Sequence, residues 1–393
     1  MKRILFAGTA LLAAGLMSGA ANAQGTLKIG LILPYSGQFA DAATQLDNGI
    51  KLYVKEHGDK VAGKKLEFIR KDVGGIKPDV AKRLAQELVT RDKVDILAGF
   101  VLTPNAMAAG AISEQGKKFM VVMNAATSIV TTKSPFMVRT SMTIPQLNDT
   151  LGIWAAKHGV EKAYTMVTDY GPGHDAETWF KKGIKSAGGD VVGSVRMPIA
   201  NPDFSAFVQR AKDENPQGIF VMIPGGAQPG AFGKALAGRG IDASKTKVMG
   251  QMEITDEHAL KSMGDVALGI ITSANYDYNL KSKRNSAFVK AYNAAYKRNP
   301  DFFSVGGYDG THLIYATLKK TKGKTDAASL IAAAKGMSWH SPRGSISIDP
   351  QTRDIVQTVY IRKVEKVGGK LVNVVIDKVA NVKDPVHAEM MKK

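Results

Sequence analysis

Two short segments in the first third of the chain carry residue types suited to holding a carboxylate. Residues 103–105 read Thr-Pro-Asn and open a predicted helix shortly after a strand-like run at 94–99. A helix N-terminus presents unpaired backbone N–H groups and a partial positive charge, and both favour an anion. Residues 124–128 follow the next predicted strand, 119–123, and open α/β sheets bind ligands at this carboxyl edge. Helix capping and loop hydrogen bonding are the alternative for both segments.

Residues that could support catalysis or hold a metal form no known motif. The sequence contains no G-x-S-x-G, P-loop, G-x-G-x-x-G or H-E-x-x-H pattern and no cysteine. Its seven histidines are scattered, and only the neighbours His174 and Asp175 could act as an acid–base or metal pair. One histidine beside one carboxylate lacks the three or four ligands of a metal site. We therefore predict that the protein is not an enzyme and has no catalytic residues, metal or cofactor.

The N-terminus has the three-part layout of a secretory signal. Lys2 and Arg3 precede an uncharged run at 4–21, and the small-x-small site Ala-Asn-Ala follows at 21–23. A membrane anchor is the alternative, although many glycines and alanines make this run weakly apolar for a span. We predict a cleaved signal peptide at 1–23, a mature chain beginning at Gln24, and a periplasmic location.

The chain is strongly basic, with 53 Lys and Arg against 35 Asp and Glu and a formal net charge of +18. Such a charge can indicate binding to nucleic acid or to a membrane surface. The densest basic segment, 281–298, has six bases and no acid, but its apolar residues recur at helical spacing. That pattern predicts a helix whose basic side chains face solvent. No nucleic-acid-binding motif accompanies it, so we predict no nucleic-acid partner.

The elements that would position these segments alternate between strand and helix. Strand-like runs separated by helical periodicity fill residues 27–123, and a second series of the same kind spans 163–250. Such alternation predicts parallel, doubly wound sheets. A chain of 393 residues exceeds what one core usually supports, so the two series predict two α/β lobes.

After residue 264 the pattern changes to three predicted helices and then paired strands, with a hairpin at Gly368-Gly369. This change predicts that the chain passes between the lobes more than once. Crossings near 140–145, 273–277 and 340–345 would form three hinge strands beside a ligand cleft. The predicted first lobe contains residues 24–142 plus 275–341, and the predicted second lobe contains residues 143–274 plus 342–393.

Several short segments, in their order and spacing, carry a resemblance to a known family. They are IGLILPYSG at 29–37, ILAG at 96–99, NAAT at 124–127, DYG at 169–171, DFSAF at 203–207 and MGDVALG at 263–269. Following a signal peptide, they resemble the type I periplasmic binding proteins, and among these the leucine/isoleucine/valine-binding family of ABC importers. The resemblance covers essentially the whole mature chain. It implies two lobes closing on a small carboxylate ligand, delivery to an inner-membrane ABC permease, and a monomer.

The resemblance also implies which residues contact the ligand. The family's carboxylate contacts fall on Thr103, Ala126 and Thr127, and its aromatic contact falls on Tyr170. Its acid for a ligand ammonium falls within residues 251–253, where ungapped alignment gives Met252 and Glu253 lies one place off. The full predicted ligand-binding set is Tyr35, Ala42, Phe100, Thr103, Asn105, Asn124, Ala126, Thr127, Tyr170, Gly226, Glu253 and Tyr276.

The predicted ligand depends on which of two residues faces the cleft. If Met252 does, the ammonium of an amino acid would be buried without a partner, and an aromatic acid fits better. If Glu253 does, a hydrophobic amino acid fits better. Small residues at Ala42 and Gly226, where the leucine-type binders have bulkier ones, leave room for an aromatic ligand. A ligand-sensing receptor for a signalling partner would use the same lobes and is the alternative function, and a periplasmic enzyme is the third.

Overall fold

The computed structural model describes residues 25–243 and 245–390. The predicted signal peptide at 1–23 lies outside the described residues. Within the described ranges the chain forms two β-sheets flanked by helices. No helix in those ranges is long and apolar enough to cross a membrane.

The first sheet has six strands and is parallel except at one edge. Its strands are β1 (Thr26–Leu33), β2 (Lys60–Val61), β3 (Lys64–Asp72), β4 (Ile96–Gly99), β5 (Phe119–Val122) and β6 (Met137–Arg139). They lie in the spatial order β2-β3-β1-β4-β5-β6, with β2 antiparallel to β3. Every residue of β4 and β5 is buried, as expected for central parallel strands covered by helices on both faces.

The second sheet has nine strands and is mixed. They are β7 (Lys162–Thr168), β8 (Asp190–Met197), β9 (Gly218–Met222), β10 (Lys247–Gln251), β11 (Ile271–Ala274), β12 (Ser338–Ser341), β13 (Gly344–Ile348), β14 (Ile355–Val367) and β15 (Lys370–Val382). Strands β7 to β11 pair in parallel, whereas β12 to β15 pair antiparallel. The parallel pairing predicted from the strand–helix alternation holds for β7 to β11, whereas short turns connect β13 to β14 and β14 to β15 and so join them as antiparallel neighbours. The predicted hairpin is present between β14 and β15.

Twelve α-helices are described. They are α1 (Ala40–His57), α2 (Pro78–Thr90), α3 (Thr103–Gln115), α4 (Ile144–Lys157), α5 (Gly171–Ser186), α6 (Phe204–Asp213), α7 (Gln228–Gly238), α8 (Glu257–Met263), α9 (Lys283–Tyr296), α10 (Phe302–Lys320), α11 (Ala327–Ala334) and α12 (Pro385–Met390). Local sequence sets several of their starts. At α4, for example, Thr143 and Gln146 form a reciprocal capping box.

The chain returns to the first sheet after β11. Helix α10 packs along α1, and a Cβ at Gly307 would lie 2.0 Å from the carbonyl oxygen of Leu46, so glycine is needed at this contact. Strand β12 then joins the second sheet through β13, although the predicted boundary at residue 341 grouped it with the first lobe. The two-lobed α/β fold class is confirmed. The remaining lobe bounds stay a prediction.

A buried arginine–aspartate ion pair lies near each predicted crossing. The pairs are Arg139–Asp354 at 2.7 Å, Arg343–Asp309 at 2.8 Å and Arg362–Asp277 at 3.2 Å. Arg343 also donates to the carbonyl oxygens of Thr140 and Ser141 in the first crossing. Separating any of these pairs would leave a buried ion without a partner, which is costly. The pairs therefore tie the crossing segments to both lobes.

Candidate functional site

A cleft of about 1050 Å³ lies between the two lobes. Its first-lobe wall consists mainly of the segments that follow β1, β3, β4 and β5. Its second-lobe wall consists of the segments that follow β7, β8, β9 and β10. All eight segments leave the carboxyl ends of parallel strands, which is the edge where open α/β sheets bind ligands.

The first-lobe wall is built around the start of α3. Thr103 lines the cleft at the first position of this helix, where backbone N–H groups have no intrahelical acceptor. Its hydroxyl lies 3.0 Å from the Thr127 hydroxyl. Beside it, Asn124 donates from Nδ2 to the Val101 carbonyl oxygen at 2.8 Å, while its Oδ1 is buried without a hydrogen-bond partner among the described residues. The wall therefore offers donors suited to an anion and one free acceptor.

The second-lobe wall carries an acid, Glu253. A short 3-10 turn at Met252–Thr255 follows β10 and buries Met252 completely in the core, while Glu253 lines the cleft. The ungapped placement of Met252 in the cleft is therefore wrong. Burial raises the pKa of Glu253 to about 7, with the neighbouring Asp256 adding to the rise and Arg362 opposing it. Glu253 Oε2 has no hydrogen-bond partner within the described chain.

Tyr170 brings an aromatic ring to the same wall. It is the extended residue before α5, is half-buried, and lines the cleft. Burial and the nearby Glu253 raise the pKa of its hydroxyl above the usual value, so the hydroxyl stays protonated at neutral pH. An uncharged ring of this kind can cover an apolar ligand and donate one hydrogen bond.

Small residues shape the rest of the cleft. Ala42 and Ala126 line it and are each 8% exposed. Gly226 also lines it, with a φ of 90°, a region that favours glycine. A Cβ at Gly226 would lie 3.1 Å from the carbonyl oxygen of Gln38 in the first lobe. Gly226 therefore permits close approach of the two lobes, in addition to the space that the sequence predicted.

Five residues of the predicted set lie outside the cleft lining: Tyr35, Phe100, Asn105, Thr127 and Tyr276. Three of them pack into the protein interior. Phe100 is 1% exposed in the first-lobe core, and Tyr276 is 2% exposed and donates to Asn285 at 2.9 Å. Tyr35 packs against the core of the first lobe. Tertiary packing covers these side chains, although Tyr35 and Phe100 follow β1 and β4, which both end at the cleft.

The other two position residues that line the cleft. Asn105 donates from Nδ2 to the Gly75 carbonyl oxygen at 2.8 Å and accepts from the Lys77 N–H at 3.0 Å, which holds a lining loop in place. Thr127 engages the Thr103 hydroxyl through both its own hydroxyl and its N–H. Asn105 and Thr127 therefore hold the first-lobe wall in place without lining the cleft themselves.

Two polar cleft residues, each with a buried side-chain atom that lacks a hydrogen-bond partner within the described chain, were missing from the predicted set. Gln251, at the end of β10, is 2% exposed, and its Nε2 has no hydrogen-bond partner among the residues described. Gln228 donates from Nε2 to the Ile199 carbonyl oxygen at 2.9 Å, and its Oε1 likewise lacks a partner there. A polar residue at the carboxyl end of a buried strand was the available signal for Gln251.

The one histidine considered for chemistry pairs differently from the prediction. His174 Nε2 lies 2.6 Å from Asp169 Oδ1 on the exposed surface. Asp175 instead accepts from the Ser128 N–H at 3.0 Å. In the part of the chain that the structure describes, no group of three or more His, Cys, Asp or Glu side chains could hold a metal ion.

A family model described as periplasmic binding protein matches residues 26–370. The chain belongs to this family. The match spans both sheets of the periplasmic binding protein fold and the cleft between them. It confirms the family that the sequence segments indicated.

Among solved periplasmic binding proteins, an ABC-transporter solute-binding protein from Rhodopseudomonas palustris BisB5, in complex with 3,4-dihydroxybenzoic acid, is 51% identical. The alignment covers 92% of this chain and 99% of that one, with a TM-score of 0.88. A second, from Rhodopseudomonas palustris HaA2 in complex with p-hydroxybenzoic acid, is 42% identical over 93% of this chain and 100% of that one, with a TM-score of 0.89. A Leu/Ile/Val-binding protein homolog 6 from Brucella abortus is 44% identical over 93% of this chain and 94% of its own. The chain is thus a solute-binding protein of the ABC-transporter class.

Proposed function

We propose that this periplasmic binding protein captures an aromatic carboxylate and delivers it to an inner-membrane ABC permease. The observation that carries the proposal is the chemical division of the cleft. One wall has a helix N-terminus with Thr103, and the wall on the opposite lobe has the unpartnered polar groups of Gln251 and Glu253. Apolar residues line much of the remaining surface.

The carboxylate binds at the start of α3. The first-turn N–H groups and the Thr103 hydroxyl donate to its oxygens, and the positive end of the helix dipole adds to the attraction. Thr127 orients the Thr103 hydroxyl. This wall needs no arginine or lysine to hold an anion, because backbone donors and the dipole act together.

The aromatic ring lies in the apolar middle of the cleft. Side chains from both lobes supply this surface: Phe39, Met142, Tyr170, Phe204, Met222 and Phe303. A flat ring gains most from such walls because it buries a large apolar area without losing internal rotations. The two benzoic-acid relatives, at 51% and 42% identity, support this choice.

A hydrophobic amino acid is the second candidate, and the observation that favours it is Glu253 in the cleft. An ionised Glu253 could pair with a ligand ammonium, as predicted for the case in which it faces the ligand. The name of the Brucella relative points the same way. We favour the aromatic acid because the two solved relatives described above each carry a benzoic acid.

We further propose that the protein acts in the periplasm as a monomer, without a cofactor, and releases its ligand chemically unchanged. The lobes would close on the ligand about the crossings, as hinge-bending binders do. Small-angle X-ray scattering should therefore show a smaller radius of gyration at ligand saturation. An unchanged radius at saturation would contradict closure.

The deciding experiment is isothermal titration calorimetry on the chain from Gln24 onward. We expect benzoate derivatives to bind at least about tenfold more tightly than leucine or phenylalanine, a difference of about 1.4 kcal/mol. Tighter binding of either amino acid would replace the proposal with the second candidate. Chromatography of the recovered ligand checks that it is unchanged.

A further inference from the structure

Two buried polar atoms of opposite hydrogen-bonding character belong to the second-lobe wall of the cleft. Gln251 Nε2 is a donor and Glu253 Oε2 is an acceptor when ionised. Both are buried, and both lack a hydrogen-bond partner among the described residues. They belong to residues two positions apart, at the end of β10 and the start of the turn that follows it. Both residues line the cleft.

Unpaired buried polar atoms are rare in folded proteins because each one costs free energy. A pair of them in a ligand cleft indicates that the ligand supplies the missing partners. A single ligand group that pairs with both atoms must accept one hydrogen bond and donate another. A hydroxyl group does this.

We propose that Gln251 and Glu253 form a hydroxyl-recognition subsite that selects benzoates carrying a ring hydroxyl. Gln251 Nε2 donates to the hydroxyl oxygen, and Glu253 Oε2 accepts the hydroxyl proton. This inference rests on the proposed function, since it assumes an aromatic carboxylate in the cleft.

The subsite distinguishes between the candidate ligands. An ammonium group only donates hydrogen bonds, so it would leave the Gln251 donor facing another donor. An unsubstituted benzoate would leave both protein atoms unpaired. A phenolic hydroxyl pairs with both.

The position of the hydroxyl follows from the lobes. The carboxylate wall at α3 is in the first lobe, whereas Gln251 and Glu253 are in the second. A ring that spans the cleft therefore presents the position opposite its carboxylate to the second lobe. The selected ligands are 4-hydroxylated benzoates.

The test compares ligands that differ only at the 4-position. Wild-type protein should bind 4-hydroxybenzoate about tenfold to a hundredfold more tightly than 4-methylbenzoate, in which a methyl group of similar size replaces the hydroxyl, or benzoate. Glu253→Leu and Gln251→Leu should each reduce this preference to about threefold or less while still binding benzoate. Glu253→Gln, which keeps a neutral acceptor, should retain part of the preference. Glu114→Leu, on the exposed surface of α3, is the matched control and should leave both affinities unchanged.

Each result is decisive. Equal wild-type affinity for 4-hydroxybenzoate and 4-methylbenzoate would overturn the subsite and leave the proposed function standing. The same holds if the folded leucine variants keep the full preference, because the hydroxyl would then be recognised elsewhere. If wild type binds no benzoate derivative, the proposed function itself fails. The wild-type ligand comparison decides the question even if a leucine variant does not fold.

Discussion

Replacement of Glu253 by glutamine should stabilise the ligand-free protein at alkaline pH and have little effect in acid. The wild-type carboxyl is partly buried and unpaired, and its pKa rises from the ordinary 4.5 to about 7. Its proton is therefore held more tightly in the folded protein than in the unfolded chain. The resulting stability is fully present below the ordinary pKa and is lost as the pH rises through about 7.

The size of the effect follows from the two pKa values. Each tenfold difference in proton affinity corresponds to about 1.4 kcal/mol, so the rise from 4.5 to about 7 corresponds to about 3 kcal/mol. Solvent in the open cleft screens part of this, and we expect about 2 kcal/mol. The charged and titratable groups around Glu253 are Asp256, Arg362 and Tyr170. They are the same in both proteins and largely cancel in the comparison.

Urea denaturation of wild type and Glu253→Gln at about pH 5 and about pH 8 measures this difference in the free energy of unfolding. The variant should gain about 2 kcal/mol at the higher pH and only a small fraction of that at the lower. Glu114→Gln, which removes an exposed carboxyl, should show no such pH dependence. A gain for Glu253→Gln that is equal at both pH values, or a loss at the higher one, would refute the reasoning.

Three further variants test the rest of the molecule. Thr103→Val should weaken carboxylate binding about tenfold, whereas Thr103→Ser should retain it. Equal affinities of Thr103→Val and wild type in calorimetry would exclude a contact between the Thr103 hydroxyl and the ligand. Gly226→Ala places a Cβ 3.1 Å from the Gln38 carbonyl oxygen at a φ of 90°. It should therefore reduce both ligand affinity and the ligand-induced compaction seen by X-ray scattering. Normal compaction of the variant would contradict the role of Gly226 in the close approach of the lobes. Arg343→Met leaves the buried Asp309 without its cationic partner, with only the hydrogen bonds from Trp339 and Ser341 remaining, and should cost about 3–5 kcal/mol in urea denaturation. Part of that loss should be recovered by adding Asp309→Leu, and an Arg343→Met variant as stable as wild type would show that the pair is unimportant.

The fold was largely predictable because its signals are local. Apolar runs of four to nine residues between helical repeats identify the parallel strands, and Gly368-Gly369 identifies the long hairpin. The mixed character of the second sheet was not predictable in the same way. It depends on β11 pairing with β14, which is a contact between segments far apart in the chain.

The cleft was predictable to the level of its segments but not of its side chains. Thr103, Asn124 and Tyr170 each follow the carboxyl end of a strand, and these strand ends meet at the cleft. Whether a particular side chain faces the cleft depends on how each loop packs. Phe100 and Tyr276 were drawn into apolar cores, and no local pattern distinguishes them from lining residues.

The sequence by itself determined the strand–helix alternation, the helix start at Thr103 and the family, since these depend on residue type and spacing along the chain. Only the tertiary structure decided between Met252 and Glu253. The 3-10 turn that follows β10 directs one side chain into the core and its neighbour into the cleft. Which of the two side chains is buried depends on how the second sheet packs beneath the turn. A shift of one residue in the turn would exchange the side chain in the core and the side chain in the cleft.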